Sequence, residues 1–176
     1  SDQSGIRKLS KDGTIRYGHY PVKGFWARGL AYNKSDGKLY VSAQGGDIIR
    51  INDLENAQTE TVYENIMQND EASFTLSEDG TKMFDFYMGT LNVYDFKTGV
   101  LAYTLEGLNY GKYPYGDNDY SNAYAGAASV AVDASYIYTI NADSRPAIVY
   151  VYNHLGEFQR ELELESGKNG LSLSVF

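Results

Sequence analysis

The sequence predicts an all-β chain made of a repeated unit of four short antiparallel strands, and three observations carry that expectation. The first is a repeat. Asp36-Gly37 returns as Asp79-Gly80 and Gly46 as Gly89, each 43 residues on, and Asp53 returns as Asp95 after 42. Three markers in one frame define a unit of about 42–43 residues. The second is residue type: the segments between markers are rich in Val, Ile, Tyr, Phe and Thr, and several alternate apolar with polar, as half-buried strands do. The third is turn chemistry. Ser35-Asp36-Gly37, Glu78-Asp79-Gly80, Lys11-Asp12-Gly13 and Lys97-Thr98-Gly99 each supply a glycine able to take positive φ at little steric cost.

In chain order, residues 5–20, "GIRKLSKDGTIRYGHY", hold two strands, and Ser10 lies 43 residues before Asp53. The first full unit, about 28–64, reads as "LAYN", "KLYVSA", "DIIRIN" and "ETVYEN". The second, about 72–107, reads as "SFTLS", "KMFDFY", "TLNVYDF" and "VLAYTLE", and the third, about 127–165, as "SVAVD", "YIYTIN", "AIVYVYN" and "EFQRELELE". "GLSLSVF", 170–176, reads as the inner strand of another unit, so the 176 residues form a single domain or part of one. The third strand of the third unit ends at Asn153, 58 residues beyond Asp95, an excess of 16 over the repeat. An insertion at about 108–124 holds that excess, and it contains "YGKYPYGDNDYSNAY".

Bulk properties bound the function. A net charge of −8 argues against a partner with a phosphate backbone, which needs clustered Lys and Arg. No cysteine is present, so neither disulfides nor thiolate metal sites are available. No run approaches the length of a membrane-spanning helix, and "SDQSGIRKLS" lacks the apolar centre of a signal peptide. The expectation is therefore no membrane insertion, and no nucleic acid as partner. Acidity, the lack of cysteine and the richness in Tyr, Gly and Asn point to a bacterial surface, the periplasm or the extracellular space.

Candidate chemistry is sparse. His19 and His154 fall far apart in the repeat, in outer strands or their turns, and read as surface polar residues rather than a metal or catalytic pair. No nucleophile elbow, zinc-protease helix or phosphate loop is present, and the paired glycines of "SAQGGD" sit where the repeat needs a tight turn. Asp117, Asp119 and Asn122 could offer oxygens to Ca²⁺, but the EF-hand pattern is incomplete. They are the one metal-ligand candidate, and no other cofactor is implied. Asp85, between Phe84 and Phe86, reads as an enclosed carboxylate that must find hydrogen bonds or shift its pKa; a structural network inside the unit is the favoured role, a catalytic acid the other. The sequon Asn33-Lys34-Ser35 lies in a turn and is explained by chance. Strand tyrosines such as Tyr40, Tyr94, Tyr138 and Tyr150 are expected to pack between units with their hydroxyls at an edge. Tyr110, Tyr113, Tyr115, Tyr120 and Tyr124 follow no strand period. Either they pack on one another in a compact loop, or they offer flat aromatic faces to a ligand.

The unit "SFTLSEDGTKMFDFYMGTLNVYDFKTGVLAYTLEG", 73–107, resembles a WD40-like or YVTN-type β-propeller blade, and residues 5–20 resemble the last two strands of an NHL-type blade. Where WD40 repeats close the third strand with Trp-Asp, this chain has Asn52-Asp53, Tyr94-Asp95 and Tyr152-Asn153, and no Gly-His pair opens the blades. The resemblance is thus to the looser YVTN/NHL-like group, and it specifies a fold rather than an activity. It implies about four blade equivalents. Because propellers close with roughly four to eight blades, the chain is expected to be part of a larger propeller; the other reading closes a four-bladed ring through 170–176, in a joint blade with no recognisable second strand.

In such propellers, the loops from fourth to first strand and from second to third strand share one face, where ligands commonly dock. The resemblance places there the insertion with Tyr20, Phe25, Trp26, Arg28, Gln44, Asp70, Glu71, Asp143 and Arg145. The expected binding set is Trp26, Arg28, Asp143, Arg145 and the five inserted tyrosines. It implies a non-enzymatic recognition or scaffold module for a carbohydrate or protein. One alternative is a propeller lyase or hydrolase using carboxylates of the central channel, with or without a metal. Another is a subunit whose blades are completed by a second chain.

Overall fold

The computed structural model describes residues 5–10, 14, 16–21, 27–69, 72–109, 129–141 and 148–164. Every regular element among them is a strand. β1 (Gly5–Leu9) and β2 (Arg16–Pro21) form a two-stranded antiparallel sheet. β3 (Ala27–Asn33), β4 (Lys38–Ala43), β5 (Ile48–Asp53) and β6 (Gln58–Tyr63) form the first four-stranded blade. β7 (Ser73–Leu76), β8 (Lys82–Tyr87), β9 (Thr90–Asp95) and β10 (Leu101–Leu105) form the second. β11 (Val130–Val132), β12 (Tyr136–Asn141), β13 (Ile148–Asn153) and β14 (Phe158–Glu163) form the third. All three are antiparallel meanders in strand order, as expected of a propeller blade. The strand proposed at 170–176 lies outside the described residues.

The blades stack face to face. Side chains alternate across a strand, so a middle strand in the stack buries both faces and reads as a nearly continuous apolar run. In β8, Met83, Phe84, Asp85 and Phe86 are all buried, whereas every residue of β14 is exposed. Ala31, Tyr40 and Ile48 of the first blade meet Phe74, Leu76, Met83 and Tyr94 of the second. On the other face of the second blade, Phe84, Phe86, Leu91 and Val93 meet Val130, Val132, Ile137 and Tyr152 of the third. β3 neighbours β7 and β7 neighbours β11, which makes the first strands the inner row. Burying side chains of this size contributes roughly 1.5–3 kcal/mol each, and that term drives blade against blade.

Tyrosine fills the gaps between blades, as its size and polar tip suggest. The Tyr40 ring sits edge-on to Phe96 at 4.9 Å, the Tyr63 hydroxyl donates to Phe96 O, and the Tyr94 hydroxyl donates to Ile66 O at 3.1 Å. Each hydroxyl ends at a blade edge, where a backbone oxygen or, for Tyr40, the Asp36 carboxylate accepts its hydrogen bond.

Candidate functional site

In each blade the end of the second strand, the start of the third, the end of the fourth and the start of the first share one face. Gln44–Asp47, Met88–Gly89 and the linkers following β6 and β10 lie there. Almost all of the expected binding set lies outside the described residues: Trp26, Tyr110, Tyr113, Tyr115, Tyr120, Tyr124, Asp143 and Arg145, together with Asp117, Asp119, Asn122, Phe25, Asp70 and Glu71. Tyr20 and Arg28 are described as strand backbone only, in β2 and β3. What the structure does show is how the blades hold the linkers of this face.

Between the first and second blades, six hydrogen bonds stitch the linker in place. Asn65 N–H donates to Asp47 Oδ1 at 2.9 Å, Met67 N–H to Gly46 O at 3.1 Å, and Ile66 O receives the Tyr94 hydroxyl. Gly45 and Gly46, at φ 90 and 83, make the tight turn the repeat requires. Gln68 N–H then donates to Asp85 Oδ2 at 2.8 Å, and its side-chain amide donates to Asp85 O at 3.0 Å and Thr90 O at 3.1 Å. Asp85 is fully buried, and its Oδ1 meets no hydrogen-bond partner among the described residues. Burial raises its pKa to about 6, with Gln68 and the Asn92 amide pulling the other way. The carboxylate therefore grips a linker.

The next junction repeats the device with different chemistry. Leu108 N–H donates to Gly89 O at 3.0 Å, as Met67 does to Gly46. Asn109 takes the place of Gln68: its N–H donates to the Tyr152 hydroxyl at 2.7 Å, and its carbonyl accepts from Thr139 Oγ1 at 2.6 Å. Strand pairing shows that Thr139 stands where Asp85 does, since Val130 pairs with Thr139 as Phe74 pairs with Asp85. On the far side of the tyrosine-rich segment, Val130 N–H donates to Ser73 Oγ at 3.0 Å. Both stems of that segment are thus tied to the second and third blades. Sequence reading missed Gln68, Ser73, Asn109, Thr139 and Tyr152 as anchors; laying "KMFDFY" over "YIYTIN" would have placed Asp85 beside Thr139.

The opposite face carries turns closed by acidic and amide caps. Asp53 Oδ1 accepts from Glu55 and Asn56 N–H, Asp95 Oδ1 from Thr98 N–H and Oγ1, and Asn153 Oδ1 from Leu155 and Glu157 N–H. Asp133 likewise accepts from Ser135 and Tyr136 N–H and, through Oδ2, from the Tyr138 hydroxyl; these bonds and nearby His154 outweigh burial and lower its pKa. Asp79, capped by Ser77 and Thr81, falls to about 2. His154 is half-buried, not a free surface group: its ring Nε2 lies 3.0 Å from Asp133 O, beside Phe84. The sequon asparagine, Asn33, is 3% exposed and its Oδ1 accepts from Ser35 N–H and Oγ, which closes it to modification in the folded state. Among the described residues no group of three or more His, Cys, Asp or Glu is placed to hold a metal ion.

No protein-family model and no curated protein matches this sequence. The structure is similar to apo AztD from Citrobacter koseri, with TM-score 0.51 and 14% identity over 96% of this chain and 44% of that one. It is similar to the RRP9 WD40 repeats, at 0.52 and 13% over 86% and 42%, and to hydrazine synthase from Kuenenia stuttgartiensis, at 0.53 and 14% over 93% and 45%. At such identity the likeness is one of fold, and the three stacked antiparallel sheets make this chain a β-propeller-type repeat protein. It spans less than half the length of each of these structures.

Proposed function

We propose that the chain is a non-enzymatic recognition module that binds a carbohydrate or protein through the aromatic-rich face bearing the inserted tyrosines. The observation that carries this reading is the pair of anchored stems. Asn109 is held by Thr139 and Tyr152, and Val130 by Ser73. A loop raised from a rigid scaffold is the usual place for recognition, and tyrosine gives large contact area at low conformational cost. Trp26, Arg28, Asp143 and Arg145 complete the proposed surface, and a site outside the cytoplasm suits its acidic, cysteine-free composition.

A glycan array and a pull-down with the full chain test the proposal. Binding that is lost when Trp26, Tyr113 and Tyr115 are together changed to Ala, with the fold retained, supports it. Binding that survives the triple change sinks it.

A further inference from the structure

Polar side-chain atoms buried in a folded chain almost always have a hydrogen-bond partner. Among the described residues two lack one, Ser42 Oγ and Asp85 Oδ1. Both face the interface between the first and second blades. Ser42 lies two residues beyond Tyr40 on β4 and Asp85 two beyond Met83 on β8, so each shares the side of its strand with a residue packed in that interface. They are 2% and 0% exposed. Two lines of contact bring them to the same end of the interface. A Cβ on Gly29 would stand 2.8 Å from Ser42 Oγ and 3.4 Å from Phe74 Cβ, and Phe74 is the strand partner of Asp85. By the other line, Asp85 Oδ2 accepts from Gln68 N–H, the adjacent Met67 N–H donates to Gly46 O, and Gly46 N–H donates to Ala43 O, next to Ser42.

We propose that Ser42 Oγ and Asp85 Oδ1 form a binding site for one ordered water molecule that bridges the first and second blades. The chemistry of the two oxygens selects this ligand. An ionised carboxylate oxygen only accepts, whereas a hydroxyl both donates and accepts, so the bridging molecule must donate to Asp85 and can take either role towards Ser42. Water does both, and about two to four polar partners suffice to hold a buried one. A calcium ion needs about six to eight oxygens, and among the described residues no group of acidic side chains or histidines is placed to supply them. The other polar groups facing Asp85 are engaged. Gln68 donates to Asp85 Oδ2, Asp85 O and Thr90 O, and the Asn92 amide donates to the Tyr94 hydroxyl at 3.4 Å. None of these groups is positively charged, and Tyr94 is the one among them that titrates. The water completes a chain of hydrogen bonds from Ser42 in the first blade through Asp85 and Gln68 to Thr90 in the second.

Two measurements on the full chain test the site. A high-resolution crystal structure should place one water oxygen about 2.7–3.2 Å from both Ser42 Oγ and Asp85 Oδ1. A direct Ser42–Asp85 hydrogen bond, another side chain such as that of Arg28 at Oδ1, or an ion with five or more oxygen neighbours in that place overturns the proposal, and so does the lack of any density there. In solution, Ser42→Ala takes from the water one of its two partners. Burial raises the pKa of Asp85 to about 6, so the water serves a charged group at pH 8 and a neutral one at pH 4. Denaturant titrations of wild type and variant should show the unfolding constant raised about tenfold by Ser42→Ala at pH 8 and about threefold or less at pH 4. A packing role for Ser42 beside Gly29 and Phe74 would cost the same at both, and an equal cost overturns the proposal. If Ser42→Ala has no cooperative transition, Ser42→Cys, which keeps the volume with a weaker donor, is measured in its place with the same expected order.

Discussion

A buried carboxylate with one oxygen unpartnered among the described residues is an expensive residue to keep, and Asp85 shows what the expense secures: its other oxygen fixes the linker between two blades. Its pKa of about 6, against 3.8 for the free side chain, makes its effect on stability depend on pH. Below the unfolded value both states are protonated. Between the two values the folded state keeps a proton that the unfolded state has released, so stability falls as pH rises through this window and stays lower above it. Two units correspond to roughly 3 kcal/mol. Asp85→Asn keeps an acceptor for Gln68 N–H and removes the charge, so it should stabilise the chain at pH 8 by about 1–3 kcal/mol, with the gain shrinking towards pH 4. Denaturant titrations at both pH values check this; a gain that is larger at pH 4 would refute it. Glycines give a second residue-scale test. Gly80 and Gly107 both have positive φ, 69 and 74, but a Cβ on Gly80 would fall 2.0 Å from Asn33 Oδ1, whereas one on Gly107 meets nothing within 4 Å. Gly107→Ala should cost about 1 kcal/mol for the left-handed backbone alone, and Gly80→Ala about 2 kcal/mol or more. Thermal melts of the two variants decide whether the clash adds to the strain.

Between elements, the two linker junctions do the same task with different residues. Thr139→Val removes the hydroxyl that holds Asn109 O while nearly preserving volume, so it should destabilise the chain by about 1–2 kcal/mol. Hydrogen exchange at Leu108 and Asn109 should quicken in that variant, with Met67 and Gln68 unchanged; uniform acceleration at both junctions would contradict a local anchor. This level also divides what the sequence discloses from what it conceals. The recurring Asp53, Asp95 and Asn153 were legible because turn capping demands a short side-chain acceptor at one place, so residue type survives from blade to blade. Middle strands such as "KMFDFY" were legible because burial on two faces leaves a continuous apolar run. The anchors were not. Val41, Asp85 and Thr139 share one position with three chemistries, because a backbone group can be held by a carboxylate or a hydroxyl alike, and only pairing register reveals their equivalence. His154 was misjudged as a surface group because its burial depends on Asp133 and Phe84, contacts that no local pattern encodes.

For the whole molecule, stability is a sum of blade interfaces, as in other repeat architectures. The second blade, buried on both faces, is the keystone. Phe84→Ala, at 0% exposure between the second and third blades, should cost about 3–5 kcal/mol and loosen the third blade before the first. The candidate site belongs to this scale as well, because Trp26, the inserted tyrosines, Asp143 and Arg145 come together only if stacked blades gather loops far apart in sequence onto one face. The repeat made the blades legible, and the proposed gathering is inferred from them; the sequence held no sign of what such a face binds, since aromatic residues serve a sugar and a protein surface equally well. The most direct measurement is the affinity of the full chain for its array-selected ligand, compared with that of the Trp26→Ala/Tyr113→Ala/Tyr115→Ala variant at matched thermal stability. A loss of tenfold or more is the predicted result, and an unchanged affinity would contradict the account.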